Sequence, residues 1–233
     1  MEKIYLLCFV IAVLLNNVWA NGQNDKSEIE EQKPNQTSVA VTNLKKPSKI
    51  MFEGSEPNPQ ANAIDDDIDY RMLMANAIAN GDYGHAMLYE DVKNQKNEQL
   101  GITDNLTYDD LFLLSKIVEA EAGSSWLTEE HRLLVASVVV NRVNSPEYPN
   151  TIYDVIYQEG QYAPAGKKWF DELIPSRDSV MAAYKILTEG SVAPPDVVYQ
   201  ANFRQGSDIY HTIYDSKLGT TYFCYSSKRN LYK

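Results

Sequence analysis

Apolar residues recur at helical spacing along residues 107–123, and this stretch predicts the central helix of the chain. At about 100° per residue, its large aliphatic side chains fall on one broad face: Leu111, Leu114, Ile117 and Val118. Thr107 is a suitable N-cap, and Asp110 completes the sequence pattern of a capping box. Gly123 suits the position just past the end of the helix.

Two glutamates near the end of this helix fall on different sides of it. Glu119 falls with the polar residues, beside Lys116, and we expect it to be solvated. Glu121 falls near the middle of the apolar face. Burial raises the pKa of a carboxyl, and a group that keeps its proton near neutral pH can act as a general acid. Glu121 is therefore a candidate catalytic acid, with a structural ion pair to Arg132 or Arg142 as the alternative.

The next apolar stretch predicts a helix that is buried on every side. Thr128 is its predicted N-cap, and residues 133–140 in its body are apolar except for one serine. A helix that is apolar all round is buried, so we expect it to be the spine of the domain, packed against the Glu121 helix. Residues 68–100 precede both helices and predict a helical hairpin that serves packing or interaction, with a turn at residues 80–82.

Shorter elements follow the two long helices. Asn150 is the predicted cap of a short helix over residues 151–157, and Ser176 opens a further helix. Two β-like runs, residues 197–203 and 220–225, can pair as a small sheet beside the helices. The predicted fold class is α+β and mainly helical, with a small β-sheet and a preceding helical hairpin.

The first 66 residues differ in composition from the rest of the chain. Residues 1–20 have a positive start, a short apolar run and a small-residue cleavage pattern, which together predict a secretory leader. An uncleaved membrane anchor is the alternative. Residues 21–66 are polar, with few large apolar side chains, and predict a disordered linker. We therefore expect a secreted protein that meets the membrane only through its leader before cleavage.

The charge and the cysteine count exclude several classes of function. The formal net charge is −11, which argues against a nucleic-acid partner. It also argues against electrostatic attraction to an anionic polymer, so such a substrate would be held by hydrogen bonds and stacking. Cleavage of the leader leaves Cys224 alone and excludes an intrachain disulfide. Its strand-like surroundings favour a packed core thiol over a nucleophile.

The sequence contains no motif for a metal or a phosphate-bearing cofactor, so we predict neither. The histidines are scattered at His85, His131 and His211, without the spacing of a metal site. The chain has 16 tyrosines, and its loops contain asparagine and glutamine. Aromatic faces stack on sugar rings and amides bind their hydroxyl and acetamido groups. The alternative is that most of these tyrosines only pack in the sheet and the core.

Four motifs follow one another in a fixed order between residues 111 and 226. The first two are Ala-Glu-Ala at residues 120–122 and Asn-Arg-Val at residues 141–143. The others are Ser-Pro-Glu-Tyr-Pro-Asn-Thr-Ile at residues 145–152 and Val-Ile-Tyr-Gln-Glu-Gly-Gln-Tyr at residues 155–162. In this order they resemble the SleB/CwlJ family of cell wall hydrolases, known for degrading the spore cortex in germination. The chain departs from the family after residue 122, where Gly-Ser-Ser replaces Arg-Gly-Glu.

The resemblance implies a lysozyme-like or lytic-transglycosylase-like catalytic domain over residues 105–233, after a hairpin at residues 67–104. It also implies a single catalytic glutamate, which maps to Glu121, with no cofactor. The implied partner is the glycan strand of peptidoglycan, outside the cell or at its wall; the oligomeric state is left open. We expect four residues to contact the glycan, although each could instead serve turn or sheet packing: Gln161, Tyr162, Tyr199 and Asn202.

The predicted reaction is cleavage of the MurNAc–GlcNAc linkage, by a lytic transglycosylase or a muramidase. Glu121 would protonate the glycosidic oxygen and then act as base. A hydrolase normally needs a second carboxylate, for which Asp154 and Glu159 are the nearest later candidates. A lytic transglycosylase needs none, and we favour it. The alternative function is a secreted wall-binding module of the same fold without turnover.

Overall fold

A computed structural model describes residues 68–232, so the predicted leader and linker lie outside the described residues. Within this range, helices come first and strands follow, which confirms the mainly helical α+β fold. The α-helices are α1 (Tyr70–Ala79), α2 (Tyr83–Leu100), α3 (Tyr108–Ala122), α4 (Glu129–Val143), α5 (Ile152–Tyr157), α6 (Lys168–Asp171) and α7 (Arg177–Glu189). The strands are β1 (Val197–Ala201), β2 (Ile209–Asp215) and β3 (Gly219–Tyr225), and a 3₁₀ turn, Arg229–Tyr232, follows.

The long helices begin at the hydroxyl residues that the sequence indicates. The Asp110 backbone N–H donates to Thr107 Oγ1 at 3.1 Å at the start of α3. The His131 N–H donates to Thr128 Oγ1 at 3.2 Å at the start of α4. These bonds satisfy amide groups that have no partner within the helix.

The cap of the short helix α5 differs from the predicted one. Thr151, and not Asn150, is its N-cap, and the Asp154 N–H donates to Thr151 Oγ1 at 3.0 Å. Thr151 also donates its own hydroxyl to the Asp154 carboxylate at 2.6 Å. This reciprocal arrangement favours Thr151 because both partners lie three residues apart, as in a capping box.

Helix α3 lies at the centre of the molecule, and the prediction that Glu119 is solvated is wrong. Helix α7 packs against α3, and the start of α7 contacts Glu119. Glu119 is 6% exposed, and its carboxylate accepts hydrogen bonds from Ser176 N at 3.0 Å and from Ser179 Oγ at 2.7 Å. Lys116 is also buried, with its Nζ donating to the carbonyl of Asp171 at 2.9 Å. These two polar residues are therefore partners of α6 and α7 and not of water.

One hydrophobic core joins the hairpin to the later helices. Met74 and Ile78 of α1 are fully buried and belong to the same cluster as Leu111 and Leu114 of α3. Helix α4 is buried along most of its length, as predicted for the spine. Among residues 68–232, no helix is both long enough and apolar enough to span a membrane.

The sheet has three antiparallel strands in the order β1-β3-β2. The two predicted runs are β1 and β3, whereas β2 was not predicted, nor was the short helix α6. Strand β2 pairs along β3 with an irregularity between Ile209 and His211, and its side chains are only half-buried or exposed. Because it is an edge strand of mixed polarity, its sequence lacks the apolar run that marks a buried strand.

Gly206 is required by a close approach between the loop before β2 and the sheet. Its φ is +65°, and a Cβ atom there would lie 1.9 Å from the Tyr225 carbonyl oxygen. It would also lie 2.9 Å from Cδ2 of Tyr199. We therefore expect Gly206→Ala to lower the free energy of unfolding by about 2 kcal/mol or more in urea denaturation.

Gly160→Ala is the matched control for this prediction. Gly160 also has a positive φ, +76°, but no atom lies within 4 Å of the position of its Cβ. It should cost about 1 kcal/mol, the strain of the backbone conformation alone. Equal losses in the two variants would contradict the steric explanation.

Candidate active site

Glu121 lies in the last turn of α3 and is half-buried. Burial raises the pKa of this carboxyl to about 7. The positive charge of Arg142 and a hydrogen bond with the Gln200 side chain act in the opposite direction. Glu121 therefore holds its proton near neutral pH, which is the property required of a general acid.

Glu121 is not locked into an ion pair. Among the described residues, no salt bridge within 4.0 Å joins it to a cation. Arg132 instead donates to the carbonyl oxygens of Leu127 at 3.0 Å and Ser124 at 3.1 Å. Arg142 is turned towards the backbone of β1, with its Nε donating to a carbonyl oxygen at 2.7 Å. The structural ion pair is therefore absent from this arrangement.

Arg142 lies between two aromatic rings in what we call the Arg142 sandwich, formed by Arg142, Tyr148 and Tyr162. The guanidinium carbon is 5.0 Å from the Tyr148 ring centre and 5.2 Å from that of Tyr162. These are cation–π distances. The sandwich neighbours Glu121, whose charge contributes with burial to raising the pKa of the Tyr162 hydroxyl.

The Asn-Arg pair at the end of α4 fixes strand β1 beside Glu121. Asn141 Nδ2 donates to the carbonyl oxygens of Pro194 at 2.7 Å and Val197 at 2.9 Å. Arg142 Nε donates to the carbonyl of Val198 at 2.7 Å. Both residues are buried. Their hydrogen bonds satisfy carbonyl groups that would be costly to leave unpaired away from water. This motif thereby places the following residues of β1 next to the end of α3.

Gln200 is the site residue that sequence reasoning missed. It follows Tyr199 on β1, and its side chain lies close enough to Glu121 to lower the pKa of that carboxyl. Neighbouring residues on a regular strand face opposite sides, so the sequence does not place both at one site. Strand β1 also has an irregular register between Val197 and Tyr199. The local sequence does not predict this irregularity.

The four residues predicted to contact the glycan differ in burial and in whether they adjoin the Arg142 sandwich. Tyr162 is buried in the sandwich. Burial and, to a lesser extent, the neighbouring Tyr199 raise the pKa of the Tyr148 hydroxyl, so Tyr199 also lies near the sandwich. Asn202 is half-buried just after β1, and Gln161 is exposed in the turn before Tyr162. In the described region, no hydrogen bond joins Gln161 or Asn202 to Glu121.

The two candidates for a second carboxylate, Asp154 and Glu159, are both exposed. Asp154 belongs to the cap of α5, and Glu159 lies in the following turn. In the described part of the chain, no other carboxylate contributes to the shift of the Glu121 pKa. Residues 68–232 also contain no group of three or more metal-ligating side chains.

A separate cavity of about 400 Å³ lies at the hairpin and contains none of the predicted site residues. It is lined by charged and aromatic side chains, among them Tyr70, Arg71, Lys93 and Asp104. The candidate catalytic carboxyl and this cavity are therefore distinct features of the molecule.

Comparison with known proteins assigns the class of this domain. Residues 128–224 match the family model described as Cell Wall Hydrolase. This match confirms the resemblance found in the sequence and the prediction of an enzyme that acts on the cell wall. The match begins at the cap of α4 and includes the Arg142 sandwich, whereas Glu121 lies just before it.

One solved structure is similar to the chain in shape. It is the catalytic domain of the germination-specific lytic transglycosylase SleB from Bacillus anthracis, with 19% sequence identity and a TM-score of 0.41. The similarity covers 53% of this chain and 99% of that one. No curated protein matches the chain.

Proposed function

We propose that the protein is a secreted lytic transglycosylase that cleaves the MurNAc–GlcNAc linkage of peptidoglycan with Glu121 as its one catalytic group. The observation that supports this most is the Glu121 carboxyl, with a pKa of about 7 and no ion-pair partner in the described region. It adjoins a segment of the cell wall hydrolase family. The leader-like start of the sequence supports secretion.

In the first step, protonated Glu121 donates its proton to the glycosidic oxygen. The bond between that oxygen and the anomeric carbon of MurNAc breaks, GlcNAc leaves with a free hydroxyl, and positive charge develops on the MurNAc ring. Glu121 is now a carboxylate in a site where burial disfavours charge. The hydrogen bond with Gln200 and the charge of Arg142 oppose that cost.

In the second step, the Glu121 carboxylate removes the proton from the 6-hydroxyl of MurNAc. The oxygen of that hydroxyl bonds to the anomeric carbon and closes a 1,6-anhydro ring, which returns Glu121 to its protonated state. Inverting and retaining hydrolases place a second carboxyl about 5–10 Å from the first. The two candidate carboxylates, Asp154 and Glu159, are exposed and do not act on the pKa of Glu121, which supports the route that needs one carboxyl.

Mass spectrometry of the muropeptides released from purified peptidoglycan tests this proposal. We expect products that end in 1,6-anhydro-MurNAc and are lighter by one water than the hydrolytic products. Reducing MurNAc ends would instead show a muramidase, and reducing GlcNAc ends would show a different linkage. Since the resembling family is known for degrading spore cortex, cortex peptidoglycan is the first substrate to compare with vegetative wall.

The pH dependence of the reaction follows from the protonation state of Glu121. Its pKa of about 7 means that the fraction of protonated enzyme falls as pH rises through neutrality. We expect the rate of glycan cleavage to drop about tenfold per unit above pH 7. Initial rates on purified peptidoglycan between pH 5 and pH 9 measure this fall in rate. A rate that stays flat to pH 9 would contradict Glu121 as the acid.

A further inference from the structure

Arg142 is a buried cation whose direct contacts are neutral groups. It is 3% exposed, donates Nε to the carbonyl of Val198 and lies between the rings of Tyr148 and Tyr162. Within residues 68–232 no carboxylate lies within 4.0 Å of it, and its Nη1 is buried without a hydrogen-bond partner. A buried charge is costly unless an opposite charge or hydrogen bonds compensate it.

Arg132, on the same helix, shows how a structural arginine is held. It is equally buried, at 4% exposed. Both of its terminal nitrogens donate to loop carbonyl oxygens, and Asp178 lies 4.0 Å away. Each arginine has one buried nitrogen without a hydrogen-bond partner, Nε in Arg132 and Nη1 in Arg142. Arg142 differs in having no nearby carboxylate and in contacting two aromatic rings instead. A ring holds a guanidinium in position without neutralising its charge by a full negative charge.

We propose that Arg142 is the electrostatic counterpart of Glu121 during turnover. It is a positioning residue whose charge stabilises the carboxylate that forms when the proton has moved to the sugar. This inference rests on the proposed function of Glu121 as acid and then base. Arg142 itself gives up no proton, and its charge acts on a carboxyl that is alternately neutral and negative.

The groups that face Glu121 come from three parts of the fold. Helix α4 contributes Arg142, strand β1 contributes Gln200, and the turn after α5 contributes Tyr162. Of these, only Arg142 is charged near neutral pH. Its removal should therefore change the proton affinity of Glu121 more than the removal of any other neighbour.

Titration of the Glu121 carboxyl by ¹³C NMR, in the full chain with labelled glutamate, measures this coupling. The resonance is assigned by its absence in Glu121→Gln. We expect Arg142→Gln and Arg142→Met to raise the pKa of Glu121 by about one unit or more. Arg142→Lys keeps the charge and should shift it by no more than about half a unit. Arg132→Gln, the matched control, should leave it unchanged.

In the variants that lack the charge, the pH above which glycan cleavage slows should also rise. A Glu121 pKa that stays at its wild-type value in folded Arg142→Gln or Arg142→Met would overturn the inference. An equal shift in Arg132→Gln would also overturn it.

If circular dichroism shows that neither charge-free variant folds, Arg142→Lys provides the test. A rise of a full unit in the Glu121 pKa of that variant would contradict a role for the charge of Arg142. The titration needs no turnover, so it separates this inference from the proposed function, which fails if the wild-type protein releases no anhydro products.

Discussion

Glu121→Gln should reduce digestion of purified peptidoglycan by a factor of about 1,000 or more. The side chain keeps its size and can still hydrogen-bond with Gln200, but it can neither donate a proton to the glycosidic oxygen nor accept one from the sugar. Acid–base catalysis by one positioned group contributes about 10²–10⁴ in rate, and in the proposed mechanism one carboxyl serves both steps. Release of soluble muropeptides per hour, measured at pH 6 and normalised to folded protein, gives the comparison.

The same substitution should leave the fold intact and stabilise it at alkaline pH. The folded-state pKa of Glu121 is raised from 4.5 to about 7, so the folded protein binds this proton more tightly than the unfolded chain does. The associated stability is present below pH 4.5 and is lost as pH rises through 7. Glutamine does not ionise, so Glu121→Gln should exceed the wild type by roughly 1–3 kcal/mol at pH 8.

Two outcomes of this experiment would point away from a catalytic Glu121. Activity retained within tenfold would mean that another group donates the proton. Loss of both activity and thermal stability would mean that Glu121 holds the fold together. A non-catalytic wall-binding module would show no wild-type digestion, and its binding to peptidoglycan would survive the substitution.

The sequence predicts the position of Glu121 because helical geometry and apolar side chains are local properties. The same reasoning fails for Glu119, since it treats the side of α3 away from the aliphatic face as solvent-facing. A helical wheel of α3 alone does not show that α7 packs there. Ser176, which bonds to Glu119 at the start of α7, lies 57 residues later in the sequence. A central helix is covered on several sides, and its polar residues then become partners of neighbouring elements.

The remainder of the site depends on contacts between distant parts of the chain. Arg142 and Asn141 stand out as a motif, but their role in holding β1 follows only from bonds to carbonyl groups about 55 residues away. Gln200 reaches Glu121 on a strand with an irregular register. A bulge of this kind depends on how strands pair and not on residue type alone. Local pattern therefore predicts the candidate acid, whereas the groups that change its pKa depend on tertiary pairing.

Glu119→Ala should have the opposite effect to Glu121→Gln, because Glu119 is the acceptor that joins α3 to the start of α7. Its carboxylate accepts from the Ser176 backbone N–H, the Ser176 hydroxyl and the Ser179 hydroxyl, at 3.0, 2.5 and 2.7 Å. Alanine leaves these groups without their acceptor at the positive end of a helix. We expect a loss of about 3 kcal/mol in the free energy of unfolding, measured by urea denaturation.

Glu159→Ala is the matched control, since it removes an exposed carboxylate and should change stability by no more than about 0.5 kcal/mol. At a temperature where Glu119→Ala is still folded, we expect its muropeptide release per folded molecule to stay within about threefold of the wild type, because Glu119 is not among the groups that act on Glu121. The two glutamates, two residues apart, thus separate stability from catalysis. A Glu119→Ala variant of unaltered stability that had lost activity would reverse the assignment, because the proton donor would then lie on the α7 side of the helix.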